Sequence, residues 1–443
     1  MIYLLAHKYS PRLSYTADII FGVILQTRFK ILYISGPENT SGLPQDAVLL
    51  DYTNFENKGA LKIPQEKLLF EEDIKPYEPD IEKSDLLKIR FSASLDTQGA
   101  VIDFDIFATA FYLLSEYHNY LNTDFDIHER YDETKHNLYS KKHHTQPWVN
   151  IYAEWLWKRC IEKNHGLQRN FPAFRYTISF DIDSPFLYSH KPFWLQMGGF
   201  LKDVLKLDLP AVKKRFRVLS NAEKDPYDVA EYILKNVSRE KLAFLFLLDR
   251  HSPNDTRYTY KNTAYQAIIQ RLSAAGIECG IHPSYTSFNN AGKIIFEKEK
   301  LQQITGKTVY SARMHFLKYR LPQTYHHFIK ATLTHDYTAC PVHTPGFRHF
   351  IATPFLWFDL AKNTVSNLTL HPTMVMDRTL QKYNELDAGK AYHEIVKVID
   401  ETIKYNGHFV ILWHNSTLSE WKEWKGWRNV FEKVLMYLNS KSQ

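Results

Sequence analysis

The sequence predicts an α/β protein: a deformed (β/α) barrel preceded by a smaller α/β domain. Three observations carry this. From about residue 172, apolar runs of strand length alternate with amphipathic helices, the pattern of β/α units. Six of the seven runs end in an ionisable or polar side chain, and α/β barrels draw their catalytic groups from the C-terminal ends of several strands. The first 35 residues read as strand, helix, strand. A closed barrel needs one strand more than the seven found, so the predicted barrel is incomplete. A doubly wound open sheet is the alternative.

The elements follow in order. Residues 1–7 and 29–35 are apolar strands around a helix at 16–27, and residues 61–90 are rich in Lys, Glu, Asp and Pro with little periodicity. Residues 1–95 are therefore a small α/β domain. Residues 96–171 form a mostly helical connection. In it Phe104, Phe107, Ala108, Phe111 and Leu114 recur at the spacing of a buried helix. A second helix covers 150–160, residues 128–146 make a polar loop, and the polar stretch 163–170 is a joint between domains. The barrel takes 172–443. Its strands are predicted at 176–180, 242–248, 278–281, 310–314, 337–340, 365–370 and 408–413. Helices are predicted at 226–236, 263–275, 292–305, 324–333, 390–404 and 424–438.

Composition excludes several classes. With 44% hydrophobic and 23% charged residues, the 443-residue chain is neither disordered nor fibrous. Aromatic residues reach 15%, enough for large cores and for ring-stacking surfaces alike. A net charge of +6 on this length is no nucleic-acid signature. The short run Lys213-Lys214-Arg215 reads as a solvated face or a contact for an acidic partner or membrane surface. Three cysteines without a C-x-x-C point away from a disulfide framework and toward a reducing compartment. No apolar run reaches membrane-spanning length, and the N-terminal run is too short for a signal peptide core. The expectation is a cytoplasmic protein, or one peripheral at the inner membrane surface, with no integral membrane segment. No nucleotide cofactor is expected. Thr305-Gly306-Lys307-Thr308 lacks the first glycine of a phosphate loop, and G-x-G-x-x-G is absent. His393-Glu394 lacks the second histidine of a zincin helix, and no G-x-S-x-G elbow occurs.

What remains is a set of strand ends. In Ser179-Phe180-Asp181-Ile182-Asp183-Ser184-Pro185, alternation turns Asp181 and Asp183 to one side. Two carboxylates placed so repel unless a cation lies beside them, or unless one binds metal and the other acts as a base; the alternative is that both cap the turn before Pro185. His282, between Ile281 and Pro283, is a metal ligand or a packed core ring. Alternation also pairs Arg313 with His315; the histidine completes a metal site and the arginine orients an aspartate base, or both are structural. His414, at the end of Phe409-Val410-Ile411-Leu412-Trp413, is placed to act as a general acid or as a structural cap. Arg348 is a contact for an acidic group or a member of an ion pair, and His371, before Pro372, a substrate contact or loop packing. Trp413, Tyr285 and Trp357 are the aromatics to consider as sugar platforms.

Ser179–Pro185, Gly280–Tyr285, Arg313–Leu317, Gly346–Arg348 and Leu412–Asn415 together resemble the polysaccharide deacetylase superfamily, carbohydrate esterase family 4. The chain is similar to a divergent bacterial branch carrying an uncharacterised α/β domain before a NodB-like barrel, with residues 105–117 resembling that upstream part. The resemblance implies a base at Asp181 and metal ligands at Asp183 and His282. The family's second metal histidine falls on Thr286, and His315 is the substitute ligand. Leu412-Trp413-His414 matches the acid motif, and Arg313 stands loosely for the arginine motif. The implied activity is metal-dependent, zinc-assisted removal of an N-acetyl group from a polysaccharide or glycan precursor. The alternatives are an inactive carbohydrate-binding or assembly protein on the same scaffold, and an esterase or amidase for another acylated substrate.

Overall fold

The computed structural model describes residues 1–36, 42–55 and 57–442. The chain parts into two compact units, each built from three segments. The first comprises Met1–Arg175, Ala339–Pro372 and Val398–Phe409; the second comprises Tyr176–Thr338, Thr373–Lys397 and Val410–Gln443.

The first unit holds a parallel four-stranded sheet in the order Phe29–Tyr33, Ile2–Ala6, Val48–Tyr52, Leu61–Lys62. Ile2–Ala6 is apolar at every position and wholly buried, as a central parallel strand must be. The following helix begins earlier than its apolar pattern suggests. Ser10 caps it by accepting from the Leu13 N–H, and Pro11 opens its first turn. Helix Ile106–Leu114 is buried on all sides. The Asp105 side chain caps it, accepting from the backbone N–H groups of Phe107 and Ala108. Helix Trp148–Lys163 extends the expected 150–160 by two residues at its start and three at its end. The strand expected at 365–370 is present as Thr364–Leu370, and it pairs antiparallel with Phe355–Asp359.

In the second unit seven strands lie side by side in the order His335–Asp336, Ser311–Ala312, Glu278–Ile281, Leu242–Phe246, Arg175–Ile182, His408–His414, Thr373–Met376. The sheet is curled like half a barrel, the deformed α/β barrel that the sequence predicts. Its parallel registers place Ile182 beside Phe246, Phe246 beside Ile281, and Ile281 beside Ala312. Asp183, His282 and Arg313 each follow directly, so three separate strands deliver them to one rim. Strand Thr373–Met376 was not expected. It pairs parallel with His408–His414, setting Met376 beside Leu412. Helices Phe193–Leu205 and Leu209–Leu219 were not predicted; Gly198-Gly199 interrupts the first, and Pro210 stands in the first turn of the second.

Candidate metal centre

Asp183, His282 and His315 offer donor atoms that all lie within 4.8 Å of one another. Asp183 Oδ1 is 3.3 Å from His282 Nε2 and 3.8 Å from His315 Nε2. Its Oδ2 is 3.7 Å from His414 Nε2. Three imidazoles thus converge on one carboxylate.

Each ring is oriented through its other nitrogen. His282 Nδ1 lies 2.6 Å from the Arg313 carbonyl oxygen. A carbonyl can only accept, so Nδ1 carries the proton and a neutral ring keeps its Nε2 lone pair toward Asp183. His315 Nδ1 is 3.2 Å from Asp255 Oδ1, and His414 Nδ1 is 2.8 Å from Asp377 Oδ1. The chain turns sharply after His315, with Phe316 and Leu317 in successive left-handed conformations at φ 61° and 57°. The His315 N–H donates to the Pro283 carbonyl at 3.2 Å, which ties this turn to the His282 strand end.

The charges respond to this crowding. Burial disfavours ionised Asp183, but the His282 ring 3.3 Å away and the positive potential of His414 and His315 hold its carboxyl far below the usual range. Burial disfavours imidazolium at His282 and His414. Asp181 and Asp183 outweigh it at the first, Asp377 and Asp183 at the second, and both histidine pKa values rise. Burial likewise opposes charge on Asp255, yet His315 and the backbone N–H groups of Tyr285 and His251 bring it down to about 2.

The cluster fits a divalent cation. Asp183 Oδ1 is buried without a hydrogen-bond partner, an expensive state for a carboxylate oxygen. It faces two Nε2 atoms, and two imidazoles with a carboxylate are a common donor set for zinc and related ions. Thr286, where the family pattern has a second histidine, is engaged elsewhere, its Oγ1 accepting from Lys293 Nζ at 2.8 Å. His315 arrives at the cluster from a different strand end.

Asp181 sits beside the triad. Its Oδ1 accepts from Arg313 Nη1 at 2.7 Å, and its Oδ2 lies 3.6 Å from His282 Nε2. The guanidinium is held from every side. Nη2 donates to Ser179 Oγ at 2.8 Å and Thr373 Oγ1 at 3.1 Å, and Nε donates to the Tyr337 carbonyl at 2.9 Å. A buried arginine with four of its five N–H donors directed in this way is a rigid anchor.

Two functional carboxylates were missed. Asp377 accepts from the His414 N–H at 2.6 Å as well as from its ring, and from the Thr417 hydroxyl. It ends strand Thr373–Met376 with an ionisable group, the signal used for the other strands. Asp255 stands in the non-periodic segment Ser252-Pro253-Asn254-Asp255, where no pattern marks it.

Other expected residues take different parts. Trp413 is fully buried against Trp427 and Phe431, with ring centroids 6.5 and 5.5 Å away, so it is a core residue and no sugar platform. Trp357 is buried too. Arg348 takes the ion-pair alternative: it lies buried in the first unit, its Nε 2.7 Å from Glu116 Oε1 and its Nη1 on Glu133. His371 also belongs to the first unit, its ring 6.4 Å from that of His408. Tyr285 is half-buried. Its N–H donates to Asp255 Oδ1 at 2.7 Å, and Lys318 Nζ stands 4.3 Å from its ring centre.

Comparison with known proteins gives two kinds of match. A family of unknown function, DUF7033, matches residues 2–165. No curated protein matches the chain. The solved structures that are similar include a provisionally assigned polysaccharide deacetylase from Mycobacterium smegmatis, at 15% identity and TM-score 0.38, covering 60% of this chain and 85% of that one. A polysaccharide deacetylase from Bacillus cereus is similar at 11% identity and TM-score 0.30, covering 60% of this chain and 89% of its own. A carbohydrate deacetylase, Agd3, is similar at 8% identity and TM-score 0.35 over 99% of this chain and 84% of its own.

Proposed function

We propose that this chain is a metal-dependent hydrolase that removes an N-acetyl group from a polysaccharide or glycan precursor. One observation carries the reading: a metal-ready triad flanked by an aspartate tied to arginine and a histidine tied to aspartate. Asp183, His282 and His315 would hold the ion, and their donor set suits zinc. A bound divalent ion polarises an acyl carbonyl and brings the pKa of water toward neutrality.

The other groups divide the proton work. Arg313 fixes Asp181 through Oδ1, leaving Oδ2 to take a proton from the attacking water. Asp377 holds His414 through Nδ1 and favours the imidazolium, so Nε2–H is the proton to deliver to the departing amine. Two titratable groups with opposite tasks are thereby assigned by their partners.

The test is acetate release by the zinc-loaded chain from N-acetylated oligosaccharides, with O-acetyl esters and small amides beside them. Turnover of an N-acetyl sugar is expected. Asp181→Asn should lower kcat by about 10²–10⁴-fold, the range for loss of a general base, while zinc still binds. No N-acetyl sugar turned over, with zinc bound, overturns the proposal.

A further inference from the structure

Ten residues beyond strand Arg175–Ile182 and the Asp183 that follows it, the chain builds a helical hairpin from Phe193–Leu205 and Leu209–Leu219. Its amphipathicity is inverted. In the first helix Phe193, Trp194, Met197, Phe200, Leu201, Val204 and Leu205 recur at three- and four-residue spacing, and all are exposed. No residue of that helix is buried. Trp194 is 77% exposed, and Leu207 in the connecting turn is 82% exposed.

The inward side is polar instead. Arg215 of the second helix is buried, with Nη2 2.7 Å from Asp203 Oδ2 and Nη1 3.2 Å from Gln196 Oε1. Its guanidinium lies 4.6 Å above the Tyr188 ring. Gly199 makes room for it, because a Cβ there would stand 2.7 Å from Nη2. This buried arginine and its partners fix which way the hairpin faces. Turning the helix to hide its apolar stripe would break a desolvated ion pair, a loss of several kcal/mol. The stripe therefore stays outward, and its size calls for a covering surface.

Charge says which surface. Residues 193–219 contain six Lys or Arg against two Asp. Lys202, Lys206 and Lys213 are exposed beside the stripe. The cavity of 670 Å³ beneath the first helix adds Lys191 and Arg257 to its lining. Two copies of so basic a segment repel each other, and lysine is depleted from protein interface cores. Trp, Phe and Leu on one side with Lys around them is the composition of a helix lying in a bilayer interface. Among the described residues no helix is long and apolar enough to cross a membrane.

We propose that the hairpin 193–219 seats this unit on an anionic lipid bilayer, its apolar stripe among the acyl chains and its lysines on the phosphate headgroups. A site seated in this way would meet acylated glycans borne on lipid at the membrane surface. The bilayer contact itself does not depend on the deacetylase reading.

Full-length protein is sedimented with vesicles of phosphatidylcholine alone and of phosphatidylcholine with phosphatidylglycerol, at low and high salt. Binding to the anionic vesicles is expected, weakening with salt. Trp194→Ser with Leu201→Ser and Leu205→Ser should abolish it. Lys202→Glu with Lys206→Glu and Lys213→Glu should weaken it by about a hundredfold or more, at about 1 kcal/mol per charge near the surface. Both variants alter exposed side chains, and an unchanged melting curve verifies their fold. Asp183→Asn should bind vesicles like the parent, which separates this proposal from the fate of the metal site. The proposal is overturned if the parent ignores anionic vesicles, if it binds neutral ones equally, or if the serine variant binds unchanged. A dimer that the serine variant dissolves would equally overturn it, by assigning the stripe to a second copy.

Discussion

His282, His315 and His414 present Nε2 to Asp183 because Nδ1 is committed in each, to the Arg313 carbonyl, to Asp255 and to Asp377. The residue types at the strand ends were legible from alternation and position. Their orienting partners were not, since Asp255 lies 60 positions from His315 and Asp377 lies 37 from His414. Another buried acid, Glu297, shapes the turn that follows His282. It accepts from the Ser284 N–H at 3.0 Å, from Ser284 Oγ at 2.7 Å and from Ser287 Oγ at 3.0 Å. Burial outweighs these donors and pushes its pKa up to about 7. The folded state therefore binds this proton more tightly than the unfolded chain does. The resulting stability is complete below the unfolded value near 4.5 and is lost as pH rises through about 7. Glu297→Gln should flatten this part of the profile. The parent should lose roughly 3 kcal/mol more than the variant across that window, read by denaturant unfolding at several pH values. Parallel profiles for the two proteins would show that Glu297 is ionised throughout.

Among the elements, strand Glu278–Ile281 carries most consequence for the site, because its register delivers His282 to the rim. Gly280 lets it pass between its neighbours. A Cβ there would stand 2.5 Å from Leu245 Cδ1 and 2.7 Å from the Ser311 carbonyl oxygen. Leucine can shift, but a strand carbonyl moves only with its strand. Gly280→Ala should destabilise the protein by about 1–3 kcal/mol in thermal unfolding, the cost typical of overpacking, and should weaken zinc binding with it. A variant of parental stability and zinc affinity would show that the strand has slack. Strand identity was readable here because apolar runs of four to eight residues between helices are a local pattern. The 365–370 run shows the limit of that reasoning: it is a strand, as expected, but an antiparallel partner of Phe355–Asp359. A run of apolar residues specifies neither its neighbour nor its direction. The hairpin 193–219 was not predicted; its apolar periodicity is real, but Gly198-Gly199 interrupts the first helix and Pro210 stands in the first turn of the second.

At the scale of the whole molecule, a metal ion that took its ligands from two strand ends and a following turn would bind the folded chain alone. Zinc should therefore raise the melting temperature, by the equivalent of about 2.7 kcal/mol at a hundredfold excess over Kd. Asp183→Asn should remove most of that rise, and a chelator should reverse it in the parent. A melting temperature indifferent to zinc would exclude a structural linkage between ion and fold. The sequence by itself determined the α/β class, the position of most barrel strands, and the presence of Asp181, Asp183, His282 and His414 at strand ends. These follow from local periodicity, and each is a statement about neighbours in the chain. Only the tertiary structure decided that Arg348 is buried between Glu116 and Glu133, that Trp413 is core, and that Asp255 and Asp377 orient the histidines. It also decided that the hairpin turns its apolar side outward over a buried Arg215. Burial and charge pairing join residues tens to hundreds of positions apart, through registers and packing that no local pattern encodes.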